Sequence, residues 1–178
     1  MVNISLKQVE EFHKKREFIP KVIERVTDEH ETVYGATAIN KQVPKFLRVP
    51  TNDVDIYTKT PKIDAREVEK ALDKRFKGNH FYIQKAQHPG TYRVNAYADK
   101  NTYADYTKPE GEIPRKKIGR IYYTPLSHIK QMINKTLKDK TSAYRHDKDR
   151  ATLKRIKVAE LRKVKLRSKT KKTMRSFW

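Results

Sequence analysis

Asp53 and Asp55 stand two residues apart in the run RVPTNDVDIY, from Arg48 to Tyr57. On a strand, side chains at i and i+2 share a face. Two carboxylates side by side repel each other unless a cation lies between them, so this spacing suits a divalent metal. Upstream, residues 34–40 read YGATAIN, a turn of small residues. A turn that lets backbone approach a ligand, followed by a metal-binding strand, reads as a site for a nucleoside triphosphate. A third acid, Asp105, lies about fifty residues downstream in YADYTKP, Tyr103 to Pro109. An acid between apolar neighbours on a strand is costly to bury unless it is paired or metal-bound. Asp99 competes for that role, but it sits in the turn ADKN, where turn formation accounts for it.

The elements that must position these acids are legible around them. Residues 5–27 read as a helix, with Leu6, Val9, Phe12, Ile19, Ile23 and Val26 near helical spacing and Pro20 splitting it. A short strand over 32–34 ends at Gly35, and a short helix over 37–43 is closed by Pro44. Residues 54–57 form a buried strand. A helix over 64–76 has Asp64 as N-cap, Glu67 three residues on, and Val68, Leu72 and Phe76 on one face, and Gly78 and Asn79 end it. Strands over 81–86, 92–97 and 103–107 make a meander, with turns at HPG and DKN. A loop then leads to a strand over 121–123. A helix follows from Thr124 as N-cap and Pro125 at N1 to about Leu137, and a last helix starts near Thr141 or Ser142. The expected fold class is α+β: a mixed sheet flanked by helices, with C-terminal helices and a basic tail. The expected organisation is one domain over 1–160, made of an N-terminal helix 5–27, a core 30–123 and C-terminal helices 124–160, followed by a tail 161–178.

Charge narrows the partners. Lys plus Arg total 42 against 21 acids, a formal charge of +21. Self-repulsion at that charge favours a polyanionic partner, nucleic acid before an anionic membrane. No apolar run reaches the ~20 residues that span a bilayer. The N-terminus lacks an apolar signal core, so a cytoplasmic location is expected. Cysteine is absent, which removes disulfides and thiolate catalysis, and the six histidines are scattered without zinc-like spacing. The tail carries Arg162, Lys163, Lys165, Arg167, Lys169, Lys171, Lys172 and Arg175, eight bases in eighteen positions with no acid. It reads as an arm that tracks phosphates without sequence preference, or as a solubilising tail. Phe177 and Trp178 at its end are suited to stack on bases or to dock on the domain.

In order along the chain, these motifs resemble the nucleotidyltransferase superfamily that includes DNA polymerase β, poly(A) polymerases and tRNA CCA-adding enzymes. The nearest likeness is to the poly(A)-polymerase-like branch of large DNA viruses and related mobile elements. The pieces are GATAIN (35–40), RVPTNDVDI (48–56), GTY (90–92), ADYTKP (104–109) and YRHDKDR (144–150). One departure is Ala36, where the family has a second glycine or a serine. Alanine loses both the access to positive φ and the hydroxyl, and Thr37 is the nearest substitute for the latter. The resemblance implies two-metal phosphoryl transfer with Mg2+ or Mn2+. Asp53 and Asp55 would hold both ions, and Asp105 would complete the one that activates the attacking hydroxyl. Gly35 and Ala36 would cradle the triphosphate through backbone N–H groups. Thr37, Asn40, Arg48, Arg145 and Lys148 complete the implied nucleotide site, with Asp149 as a structural partner to a base. The implied acceptor is an RNA 3′ end, more readily than DNA; a tRNA or protein hydroxyl is an alternative.

A different class fits the charge equally well: a non-catalytic, basic nucleic-acid-binding protein. The two readings separate on geometry. Three carboxylates sharing a point within metal reach support catalysis, and acids that diverge into solvent support the binding protein.

Overall fold

The computed structural model describes residues 5–175, with side chains described through Arg162. Phe177 and Trp178 lie outside the described residues, as do the side chains of Lys163, Lys165, Arg167, Lys169, Lys171, Lys172 and Arg175.

Ser5 starts the first helix, α1 (Leu6–Lys15), with a reciprocal cap. Its hydroxyl accepts the Gln8 N–H at 3.3 Å, and the Gln8 side chain accepts the Ser5 N–H at 2.9 Å. A 3₁₀ turn at Arg16–Phe18 leads into α2 (Ile19–Val26), so Pro20 lies in the first turn of a new helix where its missing N–H costs nothing. Phe12, Ile19 and Ile23 are buried as the pattern requires, but Leu6 is 84 % exposed and takes no part in the core.

Seven strands form one mixed sheet. They are β1 (Thr32–Tyr34), β2 (Val54–Tyr57), β3 (Phe81–Lys85), β4 (Thr91–Ala96), β5 (Thr102–Thr107), β6 (Lys116–Ile118) and β7 (Ile121–Tyr123). Their order is β3-β4-β5-β2-β1-β7-β6. The pairs β2/β5 and β1/β7 are parallel and the rest antiparallel. Between β1 and β2 lies α3 (Gly35–Gln42), and between β2 and β3 lies α4 (Pro61–Phe76). The chain ends with α5 (Leu126–Thr136), a 3₁₀ segment (Lys140–Arg145) and α6 (His146–Arg175).

Alternation along the central strands sorts the two faces. Ile56, Val94 and Tyr106 are fully buried and meet the face packed by α2 and α4, which supply Ile19, Ile23, Val68 and Leu72. Each such side chain contributes about 1.5–3 kcal/mol on burial. Phe12, Phe76, Phe81 and Tyr103 join as an aromatic cluster, with ring centroids 5.2–6.2 Å apart. The same alternation sends Asp55, Arg93 and Asp105 to the other face.

Several sequence expectations need correction. Helix α4 begins at Pro61, with Thr60 as the cap residue, because Pro at N1 opens it a turn before Asp64. Asp64 instead accepts hydrogen bonds from the hydroxyls of Thr58 and Thr60. The left-handed residue that ends α4 is Lys77, one position ahead of Gly78. Helix α5 starts at Leu126, because the Thr124 N–H donates to the Val33 carbonyl and extends the β1/β7 pairing. Strand β6 falls where a loop was expected; its KKI sequence carries no alternation strong enough to mark it.

The backbone forms two compact units, Met1–Ala38 with Pro50–Pro125, and Ile39–Val49 with Leu126–Trp178. The first contains the whole sheet. In the second, α5 and α6 pack together, burying Ile129, Ile133, Ile156 and Ala159, with Lys130 bonded to Glu160 at 2.9 Å. Residues 161–175, expected as a tail, continue α6 as helix.

Candidate metal and nucleotide site

Parallel pairing of β2 with β5 sets Asp55 directly beside Asp105. Asp53 comes from the bend just before β2. One carboxylate oxygen from each of the three acids lies within 4.8 Å of the others. Asp99, the competing acid, is spent in its turn: it accepts the Asn101 N–H at 3.0 Å and the Tyr103 hydroxyl at 2.6 Å.

The surroundings of the triad fit a bound cation. Burial raises the Asp105 carboxyl above its usual range, Arg93 opposes this, and the charge on Asp53 adds to it. Oδ1 of Asp105 is buried and lacks a hydrogen-bond partner, although Arg93 Nε stands 3.3 Å away as an ion pair. Arg93 is the base paired with Asp105, and the three gathered carboxylates form an oxygen donor set that a cation fits. All donors are oxygens, which suits Mg2+ or Mn2+.

Gly35 explains how backbone comes so close to this cluster. Its φ is +64°, and a Cβ built there would fall 1.9 Å from Asp55 Oδ2. Both the left-handed conformation and the contact require glycine. Ala36 is not at positive φ, so the departure from a second glycine costs the backbone nothing. The Thr37 hydroxyl donates to the Asp53 carbonyl at 3.3 Å, tying the first turn of α3 to the bend that presents Asp53. It thus braces the bend that carries Asp53, whatever else it reaches.

Along the same face runs a polar chain that sequence reading missed. Tyr34 stacks on Tyr57 with ring centroids 3.8 Å apart. The Tyr34 hydroxyl shares a hydrogen bond with Thr107 at 3.1 Å, and Thr107 with Thr91 at 3.0 Å. Desolvation, then the charge of Asp55, raises the pKa of both tyrosines. Arg93 was missed as well. Its pairing with Asp105 depends on a β4/β5 register that shifts at a bulge between Val94 and Asn95, and no count from the turn would have given it.

The remaining candidates belong to the second unit. The Asn40 side chain donates to the Val49 carbonyl at 2.7 Å and accepts the Val49 N–H at 3.1 Å, closing the loop that carries Arg48. Arg48 and Lys148 are exposed. Arg145 pairs with Asp149 at 3.1 Å, and Asp149 is only 3 % exposed, so the guanidinium neutralises a buried acid. Arg162 stacks over the Phe46 ring at 4.7 Å.

No protein-family model matches the chain, and no curated protein matches it. Among solved structures it is similar to the Megavirus polyadenylate synthase, with a TM-score of 0.66 and 21 % identity over 84 % of this chain and 32 % of that one. It thus spans about a third of the Megavirus chain. A looser likeness, with a TM-score of 0.44 and 15 % identity, is to JHP933 from Helicobacter pylori, over 76 % of this chain and 58 % of that one. At 21 % identity the first likeness concerns the fold alone: the chain shares the fold of the matching part of the Megavirus polyadenylate synthase.

Proposed function

We propose that the protein transfers a nucleoside monophosphate from a nucleoside triphosphate to an acceptor hydroxyl, an RNA 3′ end first among acceptors. The observation that carries this reading is the meeting of Asp53, Asp55 and Asp105 within 4.8 Å. A non-catalytic binding protein has no use for three acids gathered in a chain with a formal charge of +21. The fold shared with a viral polyadenylate synthase favours RNA as acceptor.

Asp53, Asp55 and Asp105 would hold the metal. Bound Mg2+ or Mn2+ would supply charge to polarise the attacking hydroxyl and to neutralise the leaving pyrophosphate. The chain's own part is positioning. Pairing of β2 with β5 fixes two carboxylates side by side, and Thr37 holds the bend that supplies the third. The first N–H groups of α3, at Gly35 and Ala36, have no carbonyl partner within the helix and attract phosphate oxygens. Arg93 keeps a positive charge against Asp105. The assignment of Arg48, Arg145 and Lys148 to the triphosphate follows from the motif resemblance, as does Asn40. Substituting each should raise KM for the nucleotide more than it lowers kcat.

The test is incubation of the full chain with each labelled NTP and dNTP, Mg2+ or Mn2+, and RNA, tRNA, DNA and protein acceptors. Metal-dependent incorporation into RNA supports the proposal. No incorporation into any acceptor, by a chain shown to bind metal at the triad, overturns the catalytic reading. Labelling of tRNA or protein alone overturns the choice of acceptor.

A further inference from the structure

The sheet ends in a basic hairpin, with β6 as its edge strand and β7 as the neighbour of β6. Its sequence is RKKIGRIYY, Arg115 to Tyr123, with bases at 115, 116, 117 and 120 and no acid. All four bases are exposed. The registers fix which way they point. Lys116 pairs with Tyr123, Tyr123 with Val33, and Val33 with Ile56, which is buried on the face that packs α2 and α4. Directly paired residues share a face, and neighbours along a strand alternate. Lys117 and its partner Tyr122 therefore belong to the opposite face, the one that carries Asp55 and Asp105. On that face the Arg115 guanidinium lies 4.0 Å over the Tyr122 ring, and Lys117 Nζ is 5.4 Å from it. Arg115 and Arg120 donate to the carbonyls of Glu29 and Glu24, which orient the guanidinium groups without cancelling their charge. Just ahead of β6, Glu112, Ile113, Pro114 and Arg115 line an open recess of about 310 Å³.

We propose that this face of the β6–β7 hairpin docks single-stranded RNA. Arg115, Lys117 and Arg120 supply charge for a phosphate chain. The Arg115 guanidinium, stacked on Tyr122, presents a flat cation, a surface on which unpaired bases stack. The recess beside it offers an apolar wall from Ile113 and Pro114 to a splayed base. A duplex keeps its bases stacked inside and could use only the charge, so the combination selects a single strand. The hairpin also belongs to the sheet that holds the triad. Strands β1, β7 and β6 follow one another outward from β2, which at ~4.8 Å per strand puts the edge about 14 Å from the strand of Asp55. A strand docked there lies within reach of the carboxylates along one face. That the docked strand is the acceptor rests on the transferase reading above; that the hairpin binds RNA does not. Lysines on an edge strand also deter pairing between chains, and the test separates the two roles.

The test titrates the full chain, without nucleotide or divalent metal, against labelled oligo(U), oligo(dT) and an oligo(A)·oligo(U) duplex over a range of NaCl concentrations. Lys117→Glu should weaken oligo(U) binding at least about five-fold at low salt and make the slope of log K against log salt shallower by at least about 0.7. Lys116→Glu, the same change on the other face, should weaken it by less than half as much. Lys117→Arg should bind as wild type does, which separates lost charge from lost fold. Arg115→Lys keeps the charge but loses the planar stack, and should weaken oligo(U) more than the duplex. Oligo(U) carrying 4-thiouridine should crosslink within residues 113–122, as read by mass spectrometry. Unchanged oligo(U) affinity in Lys117→Glu overturns the proposal, and self-association of that variant would then leave Lys117 as a guard of the edge alone. Equal losses in Lys116→Glu and Lys117→Glu overturn it too, because net charge then accounts for binding. Equal losses on the duplex overturn the choice of a single strand, and tighter binding of oligo(dT) overturns the choice of RNA. None of these readouts involves nucleotide transfer, so a chain that binds RNA at the hairpin and transfers nothing defeats the proposed function and leaves the docking surface standing.

Discussion

Gly35 and Asp55 approach so closely that no side chain at position 35 is permitted, since a Cβ there would overlap Asp55 Oδ2 at 1.9 Å and Asp55 Cγ at 2.9 Å. Gly35→Ala must displace the Asp55 carboxylate and also force alanine to φ +64°. The left-handed conformation alone costs about 1–2 kcal/mol. Mn2+ affinity, measured by calorimetry, should fall at least about ten-fold in this variant. Ala36→Gly is the control: position 36 is not at positive φ, so it should lose only about 0.5–1 kcal/mol of stability and keep its metal. Equal Mn2+ affinity in wild type and Gly35→Ala would falsify the account of the turn.

The three acids repel one another while no metal is bound. Charge on Asp53 raises the pKa of Asp105. Asp53→Asn should therefore melt at a higher temperature than wild type in EDTA and gain less on addition of Mn2+. Asp53→Ala and Asp55→Ala should both abolish metal-dependent incorporation while leaving nucleic-acid binding largely intact. Unchanged incorporation in either variant removes the mechanism.

Arg93 is the cation nearest to hand for Asp105, at 3.3 Å and 45 % exposed. Its exposure limits the stabilisation to about 0.5–1 kcal/mol. Arg93→Gln should lower the melting temperature in EDTA and enlarge the increment that Mn2+ provides, because the metal then supplies the missing charge. An increment no larger than that of wild type would show that Arg93 does not balance the triad.

The contrast between Asp53, Asp55 and Asp105 on one hand and Arg93 on the other shows what the sequence could carry. The Asp-x-Asp spacing and the strand alternation pointed to a shared face, and the meander turns at residues 88–90 and 99–101 bounded β4 and β5 closely. Arg93 went unnoticed because its role depends on register across two strands, which is a tertiary fact. The surroundings of Glu31 were illegible for the same reason: Asp28, Glu31, Asp64 and Glu67 gather from a turn, a loop and a helix, and no local pattern relates them. The start of α4 was misplaced because Asp64 and Glu67 imitate a capping box while Pro61 decides where the helix begins.

Glu31 gives the protein a pH dependence with a definite sign. Burial, then repulsion from Asp28, Asp64 and Glu67, pushes its carboxyl from 4.5 up to about 7, against the Asp28 N–H that lowers it. An unfolded chain loses this proton near 4.5 and the folded chain keeps it to about 7. Stability therefore falls as pH rises between those values, and the full penalty, on the order of 3 kcal/mol, is present above the folded pKa. Glu31→Gln should be more stable than wild type at pH 8 and similar at pH 4. Its stability should be flatter with pH between them, as read by urea unfolding. A Glu31→Gln chain that gains nothing at pH 8 would show that the carboxylate is neutralised by a partner in the folded protein.

The C-terminal bases test the polyanion argument directly. Deletion of residues 163–178 removes Lys163, Lys165, Arg167, Lys169, Lys171, Lys172 and Arg175 and leaves Arg162 on the Phe46 ring. Each base that no longer neutralises a phosphate makes the slope of log K against log salt shallower by about 0.7 for a single strand. A strand engaged by most of these bases should therefore show a slope shallower by roughly 3–5. Affinity for RNA should fall by orders of magnitude at low salt and much less at high salt, while single-nucleotide transfer stays measurable because the triad lies far upstream in sequence. An identical slope in the truncated chain would show that the C-terminal bases do not touch the nucleic acid, and the positive charge that holds it would then have to come from the rest of the molecule.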